Sequence, residues 1–298
     1  MSAVNLNVYE TQVKHASDLV HWVEGSGPEL EASRPVAGSL SKNLDIKLIE
    51  APLKFDAQTV PLADRTPSDL TVTHKSGVMI LWRFRASGDL KLRRVLDKSD
   101  SVDGLVRPLE DAYKVSGVIS DRLRQFNPRE FNLLDVGNFI DVADPTAKGH
   151  EVKLYRSPQG TQMGSLGGLQ ARLQWDTGEP ASWAIITCQV TLRHTTGTRS
   201  YHAQADINGD FRLAFAALPF PKKEGDSRPP YVCSITVTAL KTASGTDWHQ
   251  PDDFISGELK SLDADEFNPG IGLNFQAGIT QRLISSGSDA FLIIRNTP

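Results

Sequence analysis

Apolar residues in this chain recur at every second position far more often than at every third or fourth, the period of strands rather than helices. At the start Val4, Leu6 and Val8 alternate with polar neighbours. From Thr11 the spacing changes. Val13, Ala16, Leu19, Val20 and Val23 fall near helical positions, with Thr11 to cap the start and Gly25 to end it, so the pattern predicts one amphipathic helix. Gly25-Ser26-Gly27-Pro28 then breaks any regular element.

From Leu44 to about Tyr155 the pattern predicts strands. Leu44, Ile46 and Leu48 alternate with Asp45 and Lys47, and residues 71–74 lead through Lys75-Ser76-Gly77 into Val78-Met79-Ile80-Leu81-Trp82, a hairpin pattern. Further strands are predicted at 90–96, 113–119, 131–134 and 151–155. A second series follows at 169–175, 184–193, 200–206, 210–215 and 231–240. Asp176-Thr177-Gly178-Glu179-Pro180 and Ile207-Asn208-Gly209 supply turns, the latter a tight hairpin with positive φ expected at Asn208 and Gly209. The charged, Pro-rich stretch 219–230 reads as an exposed excursion; after Gly245 the pattern weakens until a closing strand at 291–294.

Short strands separated by turns predict a mainly β fold of two immunoglobulin- or transthyretin-like β-sandwich modules. The expected division is an N-terminal arm with a helix over 1–38, a first module over 39–160 and a second over 161–298. The length of 298 residues suits two cores, and 39% hydrophobic with 23% charged residues is a globular rather than disordered composition.

A net charge of −4 argues against nucleic acid as the partner, because phosphate binding needs a concentrated basic surface. Lys91, Arg93 and Arg94, and Arg122, Arg124 and Arg129, read as solvated bases. The longest apolar run, Val78 to Trp82, is far short of the about 18 residues of a membrane span. The N-terminus lacks the pattern of an export signal, so synthesis in the cytoplasm without a signal peptide is expected. Cys188 and Cys233 are too few for a disulfide framework and lie among apolar strand residues, as reduced, buried thiols.

Residues 169–213 resemble the carboxypeptidase regulatory-like domain, a transthyretin-like β-sandwich. The matching pieces are Leu169-Gln170-Ala171-Arg172-Leu173, the turn Asp176-Thr177-Gly178-Glu179-Pro180, Ala184-Ile185-Ile186, and Asp206-Ile207-Asn208-Gly209-Asp210-Phe211. The resemblance implies a scaffold, spacer or binding module and no peptidase activity. Phe211 would plug the sandwich core. Gln125-Phe126-Asn127-Pro128 is echoed by Glu266-Phe267-Asn268-Pro269, a faint repeat across the two expected modules.

Candidate chemistry is sparse. Asp206, Asn208 and Asp210 have the spacing that opens a calcium loop, but the glycine position falls on Phe211 and the bidentate acid on Ala217, so an EF-hand fails while a looser metal site on the hairpin tip stays open. No zinc motif joins the seven histidines. His194 and His202 near Cys188 suggest a Cys/His nucleophile, yet Cys188 sits in a strand interior, where thiols are inert. Asp252-Asp253 and Asp263, Asp265 and Glu266 read as solvated loop acids, and Gly164-Ser165-Leu166-Gly167-Gly168 lacks the spacing of a phosphate loop. Trp82, Trp175 and Trp183 read as packing residues, which leaves Trp248 and His249 as the candidate exposed ligand contact.

No enzyme, cofactor or metal is expected. Tandem sandwiches are common on surface proteins, yet no export signal is visible, and particles assembled in the cytoplasm reconcile the two. The chain is similar in style to accessory structural proteins of phage-like contractile injection systems. The expected function is a non-enzymatic structural or assembly subunit of a phage tail or such a particle, of baseplate, cap or fibre-linker type. Its partners would be other copies of itself and other particle subunits, engaged by an arm of about 25 residues. The alternative is a carbohydrate- or surface-ligand-binding β-sandwich with a glycan as partner.

Overall fold

The computed structural model of the chain describes residues 12–29, 36, 43–52, 59–61, 70–75, 78–86, 113–136, 150–192, 197–219, 229–241 and 251–296. The fold is mainly β. In the N-terminal half the strands are β1 (Gln12–Glu24), β2 (Gly27–Pro28), β3 (Leu44–Pro52), β4 (Thr59–Pro61), β5 (Leu70–Lys75), β6 (Val78–Ala86), β7 (Tyr113–Asp121), β8 (Arg129–Val136) and β9 (His150–Leu154). All but β2 form two four-stranded sheets, ordered β5-β6-β1-β9 and β4-β3-β7-β8. One buried cluster joins them: Val20 and Trp22 of β1 and Val152 and Leu154 of β9 meet Leu44, Leu48, Val115, Ile119, Phe131 and Leu133 of the other sheet. Trp22 meets Phe131 edge-on, with ring centroids 6.1 Å apart.

The helix expected after Thr11 is instead β1, a strand 13 residues long. Its pairing with β6 explains the misleading spacing. Gln12 to Ala16 stand opposite Ala86 to Trp82, but Leu19 stands opposite Ile80, so β1 carries one extra residue in between, a β-bulge. Alternation is therefore out of phase on the two sides of the bulge. Val13 and Val20 are seven positions apart but oppose Arg85 and Met79, which are six apart. Seven residues is about two helical turns, which is why the pattern mimics a helix. Nor is this segment an arm for another subunit: β1 lies between β6 and β9 of its own chain, and Trp22 has no exposed surface.

The C-terminal half comprises β10 (Gly167–Trp175), β11 (Ile185–Thr191), β12 (Thr198–Gln204), β13 (Asp210–Ala214), β14 (Tyr231–Ala239), β15 (Ile255–Lys260), β16 (Phe267–Asn268), β17 (Ile271–Phe275), β18 (Ile279–Arg282) and β19 (Leu292–Asn296), with a 3-10 turn at Pro251–Asp253. With β2 they form one large sheet, ordered β13-β10-β19-β15-β14-β11-β12-β2, with β16, β17 and β18 branching from β15, β14 and β10. Two long strands change partner along their length. β14 pairs β17 with its first half and β15 with its second, and β10 pairs β18 and then β19. These changes of partner, and the tight turn that joins β13, at one end of the sheet order, to β12, next to the other end, curl the sheet into a nearly closed, barrel-like form. Its interior is a single cluster in which Phe215 packs against Tyr201 and Phe275, with centroids 5.1 and 4.5 Å apart.

Strands β15 to β18 fall where the sequence pattern reads as weak. Ile271, Leu273 and Phe275 do alternate inward, but glycine and asparagine separate them, and β18 is almost wholly exposed. The 206–210 turn also differs from expectation. Asp206 O accepts the Gly209 N–H at 3.0 Å, and of Asn208 and Gly209 only Gly209 has a positive φ, 78°. This is a type I turn closed by a left-handed glycine, the three-residue hairpin rather than the two-residue one. A Cβ on Gly209 would lie 2.2 Å from Leu173 O, so both conformation and space require glycine there. Phe211 is buried in the core as expected.

Because Trp22 is core and not arm, Trp22→Ala is expected to cost about 3–5 kcal/mol of stability in urea unfolding. An arm awaiting a partner would leave the isolated chain's unfolding midpoint unchanged.

Candidate functional site

Most side chains singled out in the sequence are spent on structure. Trp22, Trp175 and Trp183 are buried, and the side chain of Trp82 lies outside the description. Trp248 and His249, the candidate ligand contact, lie outside the described residues, as do His194, Lys91, Arg93 and Arg94. Cys188 stands opposite Tyr201 and points into the core, whereas His202 is paired with Thr187 on the other face of the same strands. Cys188 and His202 therefore do not face each other. The Cys188 thiol is pushed far up from its ordinary value by its contact with Cys233 and by burial.

The acids of the 206–210 hairpin are likewise engaged. Asp206 Oδ1 accepts the backbone N–H groups of Asn208 and Asp210 at 2.8 and 3.1 Å, and Arg172 donates to both carboxylate oxygens of Asp210 at 2.9 Å. Burial pushes the Asp206 carboxyl upward, against the pull of those N–H donors. The hairpin tip thus uses its carboxylates to shape the turn, and among the described residues no three His, Cys, Asp or Glu side chains gather as a metal site. Among the same residues no helix is long and apolar enough to cross a membrane.

A buried polar arrangement lies at the joint between the two halves. It forms along the outer edge of β12, whose backbone groups need partners wherever water is excluded. β2 supplies some: Pro28 and Gly27 pair with Tyr201 and His202, and the Glu29 N–H donates to Ser200 O at 2.7 Å. Further along, Asn127 of the N-terminal half replaces a strand. Its Nδ2 donates to Ala205 O at 3.1 Å and to Gln204 O at 3.4 Å. Gln204 passes the contact on, donating its own amide to Trp183 O at 3.1 Å. Trp183 holds a positive φ of 64°, unusual for a bulky residue, and these bonds fix it.

Local structure aims Asn127 at this edge. The Asp121 carboxylate accepts the N–H groups of Leu123, Gln125 and Phe126, which shapes the turn after β7. Residues 125–127 then pair with the chain beyond β9, through Asn127 N–H to Tyr155 O at 2.9 Å and Ser157 N–H to Gln125 O at 2.9 Å. Arg156 covers the Phe126 ring at 5.3 Å and pairs with Glu24 at 3.0 Å. Arg129, expected to be a solvated base, is buried here and donates to Lys153 O. None of this was readable from sequence: Asn127 and Ala205 are 78 positions apart, and only the echo of the Phe-Asn-Pro triplet marked the place.

His202 sits at the same joint. Thr187 Oγ1 lies 3.1 Å from its Nδ1 and Glu29 Oε2 lies 3.7 Å from its Nε2. Burial lowers the imidazole below its ordinary value; Lys153 adds to this and Glu29 opposes it. A second polar feature, an open groove of about 450 Å³, lies beside β16 and β17 and is lined by Ser261, Asp263, Glu266, Asn268, Asn274 and Gln281.

Two outcomes follow from the joint. Asn127→Ala strands the carbonyls of Gln204 and Ala205 without their donor and is expected to cost about 1–3 kcal/mol in chemical unfolding. The His202 imidazole is harder to protonate in the native state than in the unfolded one, so its contribution to stability is complete above the unfolded value near pH 6.5 and is lost as pH falls through the lower native one. The melting temperature of the wild type should therefore drop more steeply between pH 7 and 5 than that of His202→Gln.

Comparison with protein-family models, with curated proteins and with solved structures found no match to this chain.

Proposed function

We propose that this chain is a non-enzymatic structural subunit of a phage tail or phage-like contractile injection particle, of baseplate, cap or fibre-linker type, built from two sandwich modules that divide near residue 160. In this reading the second module is of the carboxypeptidase regulatory-like kind. The observation that carries it is the joint along β12. Linked domains usually move relative to one another, because their shared interface is small and polar. Here the halves share strand pairing through β2 and a buried amide relay from Asn127 to Gln204 to Trp183, while within the N-terminal half the Arg156–Glu24 pair braces the β9 extension that residues 125–127 pair with. Such a joint holds two modules at one angle, as a part that must hold its neighbours in register requires.

The test is to express the chain with the genes that adjoin its own, sediment the assemblies formed and identify the subunits by mass spectrometry and electron microscopy. The expected result is this chain at a fixed copy number in a tail-like particle. Particles that form without it, or a chain that stays in the supernatant, would overturn the reading.

A further inference from the structure

The joint along β12 holds a titratable side chain between the two halves. His202 stands in register opposite Gly27 of β2, which has no side chain, and its imidazole is only 24% exposed. Within its own sheet it meets Thr187 of β11, whose Oγ1 lies 3.1 Å from Nδ1. The charged groups that act on the ring come from elsewhere. Glu29, just past β2, places Oε2 3.7 Å from Nε2, and Lys153 belongs to β9 of the N-terminal half.

The two ladders that flank His202 differ in length. β11 pairs with β12 over seven positions, Ile185–Thr191 against Gln204–Thr198. β2 pairs with it over two, extended by the Glu29 N–H that donates to Ser200 O. The crossing itself is tied to the N-terminal half, where Gly25 N–H donates to Leu154 O at 2.8 Å and Arg156 N–H to Ser26 Oγ at 2.6 Å. A local opening at this place therefore parts β2 from β12 before it frees the crossing or separates β12 from β11, because few hydrogen bonds are lost.

We propose that His202 makes the joint acid-sensitive: protonation of its imidazole releases β2 from the β12 edge and turns a fixed joint into a hinge held by the Asn127 amide. Burial favours the neutral ring, since a charged one would lose water that the joint does not replace. Glu29 pulls toward the charged ring and Lys153 against it. The Glu29 side chain is 62% exposed, so water screens its pull, and burial prevails. An imidazolium at this place regains its solvation by parting the shorter ladder. The sign is that of a histidine held below its ordinary value. The ladder is fully held above the open-form value near pH 6.5 and loosens as pH falls from there toward the lower native one. The device belongs to the isolated chain and stands or falls apart from the structural-subunit reading.

Hydrogen exchange of the full chain from pH 7 to pH 5 tests it, with each amide's rate referred to its unprotected rate at the same pH. Protection of the Glu29 amide is expected to fall toward a ceiling of about 25-fold, set by an ordinary imidazole in the open form, while amides of β11 and β14 keep theirs. His202→Gln should abolish the fall, Lys153→Gln should shrink it, and Glu29→Gln, which keeps the backbone N–H, should deepen it. Opposite effects of the two charge variants separate titration of the ring from a merely structural role. Glu29 protection that is constant with pH, a fall that His202→Gln retains, or a Glu29→Gln chain in which it shrinks would overturn the proposal. Equal loss throughout β11 and β14 would do the same, because the whole sheet would then be unfolding.

Discussion

A buried strand edge must find hydrogen-bond partners, and the outer edge of β12 finds them in the other half of the chain. Glu29 gives its N–H to Ser200, and Asn127 gives its amide to the carbonyls of Gln204 and Ala205. Each carbonyl left dry and unpaired would cost on the order of 1–3 kcal/mol, comparable to a sizeable share of a domain's net stability. Much else follows from this constraint. Asp121 shapes the turn that delivers Asn127, the Arg156 guanidinium braces Phe126 before it, and Gln204 relays the contact to the strained backbone at Trp183.

The same constraint explains why Gly25-Ser26-Gly27-Pro28 is a crossing rather than a boundary. β1 belongs to the N-terminal sheet, and two residues after its end the chain adds β2 to the C-terminal one. Gly27 has a positive φ of 88°, and Ser26 Oγ accepts the Arg156 N–H at 2.6 Å. The passage from one sheet to the other and the pairing of the β12 edge are thus accomplished by one short stretch, Gly25 to Glu29. A flexible tether would have left the β12 edge open to pairing with other chains.

The sequence by itself determined what depends on near neighbours. Two-residue alternation placed β3, β7 to β14 and β19, the apolar surroundings of Cys188 and Cys233 put both thiols in the core, and Phe211 faced inward as its hairpin position requires. Only the tertiary structure decided whatever depends on a partner. One bulge against β6 turned a helix-like spacing into β1, a glycine-rich stretch became β15 to β18 because β10, β14 and β19 were there to pair with it, and Asn127 acquired its role from carbonyls that no local pattern could announce. Burial of alternate side chains is written into the order of residues along one strand, whereas the hydrogen bonds of a strand edge belong to whichever segment the fold brings beside it.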